Sequence, residues 1–267
     1  MARKSNNFAI NEETGVVYAL RSLDAEKFTE PEILEIVAQD GGSPPKTGRT
    51  TLRVSIKDFN DNIPVFVKKN YLFEIDENVP IDSKIGQVIA IDGDLNPTVK
   101  YHWKNTGKYR NSPFEIDEET GEIFVARSVD FETDGKWFNL TAVATDQDGQ
   151  WDQTAVIIMV NDLNDNQPVV SYPLPNRDVV WVNPELRTGQ LVAKIKATDA
   201  DKGKNGKILM RLENSIIDFV NVNAGGEILL QRDLGEEDFG RHTIEVRIED
   251  MGAPVASSLL RVSFRIL

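Results

Sequence analysis

Four Asp/Asn groups fall within five residues in "DFNDN" (58–62), and four more in "DLNDN" (162–166). Asp58 and Asp162 are 104 positions apart, and a proline follows each motif within two residues. These segments offer carboxylates, amide oxygens and carbonyls, and no soft ligand. Calcium takes roughly six to eight such oxygens at about 2.3–2.6 Å. One Asn/Asp cluster reads equally well as a turn, because these side chains bond their own backbone and tolerate left-handed geometry. Turns alone have no reason to recur at the spacing of a small domain.

Other segments keep the same period. "FAINEETG" (8–15) returns as "FEIDEETG" (114–121), and "LDAE" (23–26) as "VDFE" (129–132) and then a degraded "LGEE" (234–237). "AIDGD" (90–94) matches "ATDAD" (197–201). Asp40, Asp146 and Asp250 close "AQD", "ATD" and "IED" at intervals of 106 and 104. A period near 105 is too long for a solenoid repeat and suits tandem small domains.

The acidic motifs lie at the ends of segments that read as strands. "EILEIVAQD" (32–40), "FNLTAVATD" (138–146) and "HTIEVRIED" (242–250) alternate with period two before a Gly-containing turn. "KIGQVIAID" (84–92) and "GQLVAKIKATD" (189–199) each read as one strand, and "TLRVSIKD" (51–58) and "TAVIIMVND" (154–162) run directly into the two linker motifs. About seven short strands per repeat predict an antiparallel, all-β sandwich of Greek-key type, whose loops gather at two poles. The first repeat lacks the counterparts of residues 63–105; a boundary of preparation or processing is expected, in preference to a strand donated by another chain or a partner packed on the open side. Half a sandwich would expose its inner faces.

Composition narrows the function classes. The net charge is −13, which disfavours nucleic acid and anionic membrane surfaces. With no cysteine there is no disulfide, thiolate metal site or cysteine nucleophile. The longest apolar run, "AVIIMV" (155–160), is strand-length, and the N-terminus has no apolar signal core. Paired carboxylates also serve glycoside hydrolysis, but a repeated oxygen pattern argues against an active site duplicated at each linker. His102 and His242 match no catalytic or zinc motif and read as surface or loop residues. Trp103, Trp137, Trp151 and Trp181 read as core or strand-edge packing in preference to adhesive anchors. "NLT" (139–141) is an N-glycosylation sequon, whereas the proline of "NPT" (96–98) rules that one out.

As an ordered set, "IDEN", the D-x-E, D-x-D and A-x-D motifs and the two D-x-N-D-N linkers resemble tandem extracellular cadherin repeats over essentially the whole chain. The resemblance implies immunoglobulin-like sandwiches end to end. Residues 1–62 would be the C-terminal part of one repeat, 63–166 a complete repeat, and 167–267 a repeat lacking its following linker. It implies a non-enzymatic, calcium-dependent adhesion protein at the cell surface, this chain being part of a membrane-anchored parent. Its partners would be other cadherin-family molecules, homophilic or heterophilic, with no nucleic acid and no small-molecule substrate. The alternative is a calcium-stiffened, non-adhesive spacer.

Carried over position by position, the resemblance gives the first junction Asp24, Glu26, Asp58, the Phe59 carbonyl, Asn60, Asp61, the Asn62 carbonyl, Glu77, Asp92, Asp94 and Asp146. It gives the second Asp130, Glu132, Asp162, the Leu163 carbonyl, Asn164, Asp165, the Asn166 carbonyl, Asp199, Asp201 and Asp250. About three calcium ions are implied at the first junction. The third repeat reads "WVNPEL" (181–186) where the second has "IDENVP", leaving Asn183 as a neutral substitute and Glu185 usable only on a register slip. The second junction is therefore expected to bind fewer ions, or bind them more weakly.

Overall fold

The computed structural model describes residues 5–104 and 112–267, so the first four residues of the expected first domain lie outside the described residues. Strands β1 (Phe8–Ile10) and β2 (Val17–Ala19) form a hairpin. In its turn the Asn11 Oδ1 accepts the Glu13 and Thr14 amides. Strands β3 (Glu32–Gln39) and β4 (Thr47–Val54) form a second hairpin. Both alternate as strands with a core face do, but Ile33, Val37 and Leu52 stay exposed among the described residues.

Two sets of strands then follow the same plan. The first comprises β5 (Val65–Phe66), β6 (Asn70–Asp76), β7 (Lys84–Gln87), β8 (Ala90–Ile91), β9 (Lys100–Trp103), β10 (Phe114–Ile116), β11 (Glu122–Val125), β12 (Trp137–Thr145) and β13 (Trp151–Asn161). They assemble as sheets β10-β11-β7, β6-β13-β12-β9 and β5-β8. The second comprises β14 (Val169–Tyr172), β15 (Val179–Val182), β16 (Leu191–Lys194), β17 (Lys196–Thr198), β18 (Leu209–Ser215), β19 (Val220–Val222), β20 (Glu227–Leu230), β21 (Gly240–Glu249) and β22 (Ser257–Ile266). Its sheets are β16-β20-β19, β15-β22-β21-β18 and β14-β17. These are sheets of a Greek-key sandwich, with β15 running parallel to β22.

The segment 84–92, read as one strand, is two: β7 pairs with β11 and β8 with β5. Segment 189–199 divides likewise, β16 pairing with β20 and β17 with β14. The chain turns a corner between sheets, which hydrophobic alternation does not encode. Segment 51–58 stops being a strand at Val54, so Asp58 stands in an irregular linker.

Contacts group the chain into two compact units. One is Met1–Phe73, Asp82–Ala126 and Asn139–Ile157; the other is Glu74–Ile81, Arg127–Phe138 and Ile158–Leu267. In the first, Val88, Tyr101, Phe114, Ile123, Val125, Ala142, Ala144 and Val156 are buried. The second buries Phe219, Ile228 and Leu230 beneath the alternate residues Ile244, Val246 and Ile248 of β21 and Leu260, Val262 and Phe264 of β22. Each large apolar side chain removed from water contributes about 1.5–3 kcal/mol. That leaves the strand ends free to carry costly polar groups.

Candidate metal centres in the linkers

The D-x-E motifs build their own geometry. Asp24 is the N-cap of a 3-10 turn (Ala25–Lys27) and accepts the Lys27 amide. Asp130 caps helix α1 (Phe131–Asp134) and accepts the Thr133 amide. A cap of this kind fixes the first turn, and Glu26 and Glu132 sit on it. The third copy has Gly235 at the cap. There Asp238 accepts the Gly235 amide and is held below the usual carboxylate range, chiefly by Arg232 at 2.6 and 2.8 Å. Arg127 pairs with Asp134 in the same way beside α1, so what the third copy lacks is the cap carboxylate that Asp24 and Asp130 supply.

The linkers bond to the acidic loops in matched fashion. Asn60 donates to Asp146 at 3.0 Å, and Asn164 to Asp250 at 2.9 Å. Asn62 reaches Asp94 at 2.7 Å, and Asn166 reaches Asp201 at 2.7 Å. Asp92 accepts the Asp94 amide, and Asp199 the Asp201 amide, each at 3.0 Å. Asp61 and Asp165 accept from Asn62 and Asn166. Phe59 and Leu163 are exposed, so the linker's apolar side chains point away from its polar groups.

In the first unit, carboxylate oxygens of Glu26, Asp58 and Asp94 lie within 4.8 Å of one another. In the second unit two such groups share Glu132: Glu77, Glu132 and Asp165, and Glu132, Asp162 and Asp201. Glu77 thus belongs with the second linker, contrary to its expected place in the first junction. It is 1% exposed, and its two oxygens accept the Phe131 amide at 2.8 Å and the Leu163 amide at 2.7 Å. The cause is strand direction: the Glu77 amide bonds the Asn161 carbonyl, so β6 ends beside the end of β13. Asn183 and Glu185 take no part in either cluster. Both are exposed, and the Asn183 side chain accepts the Glu185 amide.

Sequence reasoning missed several supports. Gln150 donates to the Asn60 and Asn62 carbonyls, Asn205 to Asp162, and Asn78 to Asp165. A Cβ at Gly93 would stand 2.9 Å from the Asn62 side chain, and one at Gly252 would collide with Asn164. Only glycine admits these linker amides. The Lys27 ammonium binds Asp24 and holds its carboxyl below the usual range; residue 133, one period on, is Thr. His102 and His242 both lie on strands, His242 bonded to the Asp238 carbonyl at 2.7 Å. Trp137, Trp151 and Trp181 are exposed rather than in a core; Trp181 lies on the edge strand β15 with Arg265 over its ring, and Lys136 and Lys104 lie over Trp137 and Trp151.

The donor sets fit a hard cation. Among the described residues, seven buried side-chain atoms lack a hydrogen-bond partner. All are oxygens of expected ligands: Glu26, Asp58, Asp92 and Asp94 in the first cluster, Glu132, Asn164 and Asp199 in the second. A buried acceptor without a partner costs about 1–3 kcal/mol, more when charged.

The Glu132 carboxyl is pushed up to about 7 by burial, then by Asp162 and Glu77. Burial also raises Asp201. A carboxyl raised in the fold costs stability once ionised. For Glu132 that cost is absent below its ordinary value of 4.5 and complete above about 7. The calcium-free chain should therefore melt at lower temperature as pH rises from 5 to about 7.5, and Glu132→Gln should flatten the slope. Thermal scans of metal-depleted protein check this; a rising melting temperature over that window would refute it.

The cadherin domain matches residues 2–57 and 71–161, more than half of the chain. The chain belongs to the cadherin family. It is 32% identical to human protocadherin-1 over 250 residues, covering 92% of this chain and 23% of that protein. The chain spans about a quarter of the length of the curated relatives it matches. Repeats 22–24 of mouse cadherin-23 superpose with a TM-score of 0.81 at 26% identity, covering 98% of this chain and 83% of that one. A cis-dimer structure of protocadherin gammaB7 repeats 3–6 superposes with a TM-score of 0.78 at 28% identity, covering 98% of this chain and 65% of that one. The cadherin domain is a non-catalytic fold. The architecture is that of extracellular cadherin domains. Among the described residues no helix is long and apolar enough to cross a membrane.

Proposed function

We propose that the two acidic clusters bind calcium, and that the ions stiffen the joints between the cadherin repeats 1–62, 63–166 and 167–267 of a cell–cell adhesion protein. The observation that carries this reading is that, among the described residues, the partnerless buried side-chain oxygens all belong to the two clusters. Carboxylates 4–5 Å apart repel by about 3–4 kcal/mol per pair at an effective dielectric of 20. Without cations the linker regions are driven open; with them, loops on either side share ligands. The second cluster, which holds Glu77 and has Thr133 where the first has Lys27, binds calcium more tightly than the first in this chain. This ordering reverses the one expected from "WVNPEL".

Calorimetric titration tests the ordering: two classes of site, with Asp165→Ala abolishing the tighter class and Asp61→Ala the weaker. Loss of the tighter class in Asp61→Ala would overturn it. The cis-dimer of the protocadherin gammaB7 repeats supports self-association of this chain. Sedimentation velocity separates adhesion from the spacer reading: a calcium-dependent dimer favours adhesion by this segment, and a monomer at all concentrations favours the spacer.

A further inference from the structure

Asn139 heads the one N-x-S/T tripeptide in the sequence whose middle residue is not proline. It lies on β12, a strand interior to its sheet. Alternation turns Asn139 outward and exposed, while Leu140 is buried at 3%. Among the described residues its side-chain amide has no hydrogen-bond partner. Asn161 and Asn214, also on strands, instead donate to Asp76 and Glu245. The Thr141 carbonyl takes the Lys104 amide, which fixes the strand and leaves the hydroxyl uncommitted. The tripeptide supplies the acceptor sequence, and the outward, unbonded amide leaves room in the fold for an attached glycan.

We propose that Asn139 carries an N-linked oligosaccharide. In the transfer, Nδ2 attacks C1 of the first sugar of a lipid-pyrophosphate-linked oligosaccharide. A C1–N bond forms, the C1–O bond to pyrophosphate breaks, the lipid pyrophosphate leaves with the bonding pair, and the proton lost from the amide passes through water to that pyrophosphate. The modification rests on the extracellular reading above, because the sugar donor belongs to the secretory route. Rooted in the middle of β6-β13-β12-β9, the glycan stands on the sheet's outward face.

The test secretes the chain from cultured animal cells behind a cleavable signal. Wild type should lose mass on treatment with an amidase that cleaves the glycan–asparagine bond, and should leave Asp at position 139 in the peptide map. Asn139→Gln and Thr141→Ala should show no mass loss, while Thr141→Ser should retain it. Secreted wild type with unmodified Asn139 overturns the proposal. The same preparations are melted with and without calcium: a calcium shift without glycan sinks this proposal alone, and glycan without a calcium shift sinks the calcium reading alone.

Discussion

Removing calcium from the chain should lower its melting temperature by about 10 °C or more, the largest effect expected of any change in solution conditions. A ligand present at a hundredfold its dissociation constant adds about 2.7 kcal/mol per site. Two filled sites add about 5 kcal/mol, and in a chain of this size each kcal/mol moves the midpoint by roughly 2–4 °C. The loss should be local. Chelation leaves Glu26, Asp58 and Asp94 in one unit, and Glu77, Glu132, Asp162, Asp165 and Asp201 in the other, without a counter-charge. Proteolysis should then cut near 58–64 and 162–168, while β21 and β22, with their buried alternate residues, stay intact. Magnesium should rescue little, because it demands near-octahedral geometry at about 2.0–2.1 Å. Added sodium chloride should not substitute either, since the effect is ligation and not screening of the −13 net charge. Equal melting temperatures in calcium and in chelator would remove the calcium reading altogether.

Much of the site was legible because its chemistry is written in residue type. Carboxylates and amides at strand ends have few uses, and their recurrence near 105 residues separated ligands from turns. The D-x-E caps follow from local sequence, whereas the Asn62–Asp94 and Asn166–Asp201 pairs join repeated motifs 32 and 35 residues apart. What sequence could not carry was direction. Glu77 follows the end of β6, and only the pairing of β6 with β13 decides which end of the sheet that is. The same blindness joined β7 to β8 and β16 to β17, because side-chain alternation persists through a change of partner. Gln150 and Asn205 were missed for another reason: they act through side-chain amide hydrogen bonds whose partners lie 88–90 and 43 residues away. Gly252 had a visible signal in its turn, but the close approach of Asn164 that requires glycine depends on the fold.

The misplaced glutamate supplies the sharper experiment. Glu77→Ala should weaken calcium binding at the second linker by at least about tenfold, or about 1.4 kcal/mol. It should also destabilise the calcium-free chain by roughly 2–4 kcal/mol, because it strands the Phe131 and Leu163 amides that its two oxygens now hold. Glu77→Gln separates the two effects. The amide keeps one acceptor, removes a negative charge facing Glu132 and Asp165, and relieves one cause of the raised Glu132 carboxyl. Its calcium-free stability should therefore fall less than that of the alanine variant, while calcium affinity falls in both. Location decides the assignment. In calcium, both variants should become cleavable at 162–168 and stay protected at 58–64; the reverse pattern would return Glu77 to the first junction. Asn183→Ala and Glu185→Gln should leave calcium protection unchanged at both linkers, since neither side chain reaches a cluster. If Glu185→Gln alone weakened the second site, the "WVNPEL" segment would be the ligand after all, and the strand-end pairing of Glu77 with Asn161 would be structural only.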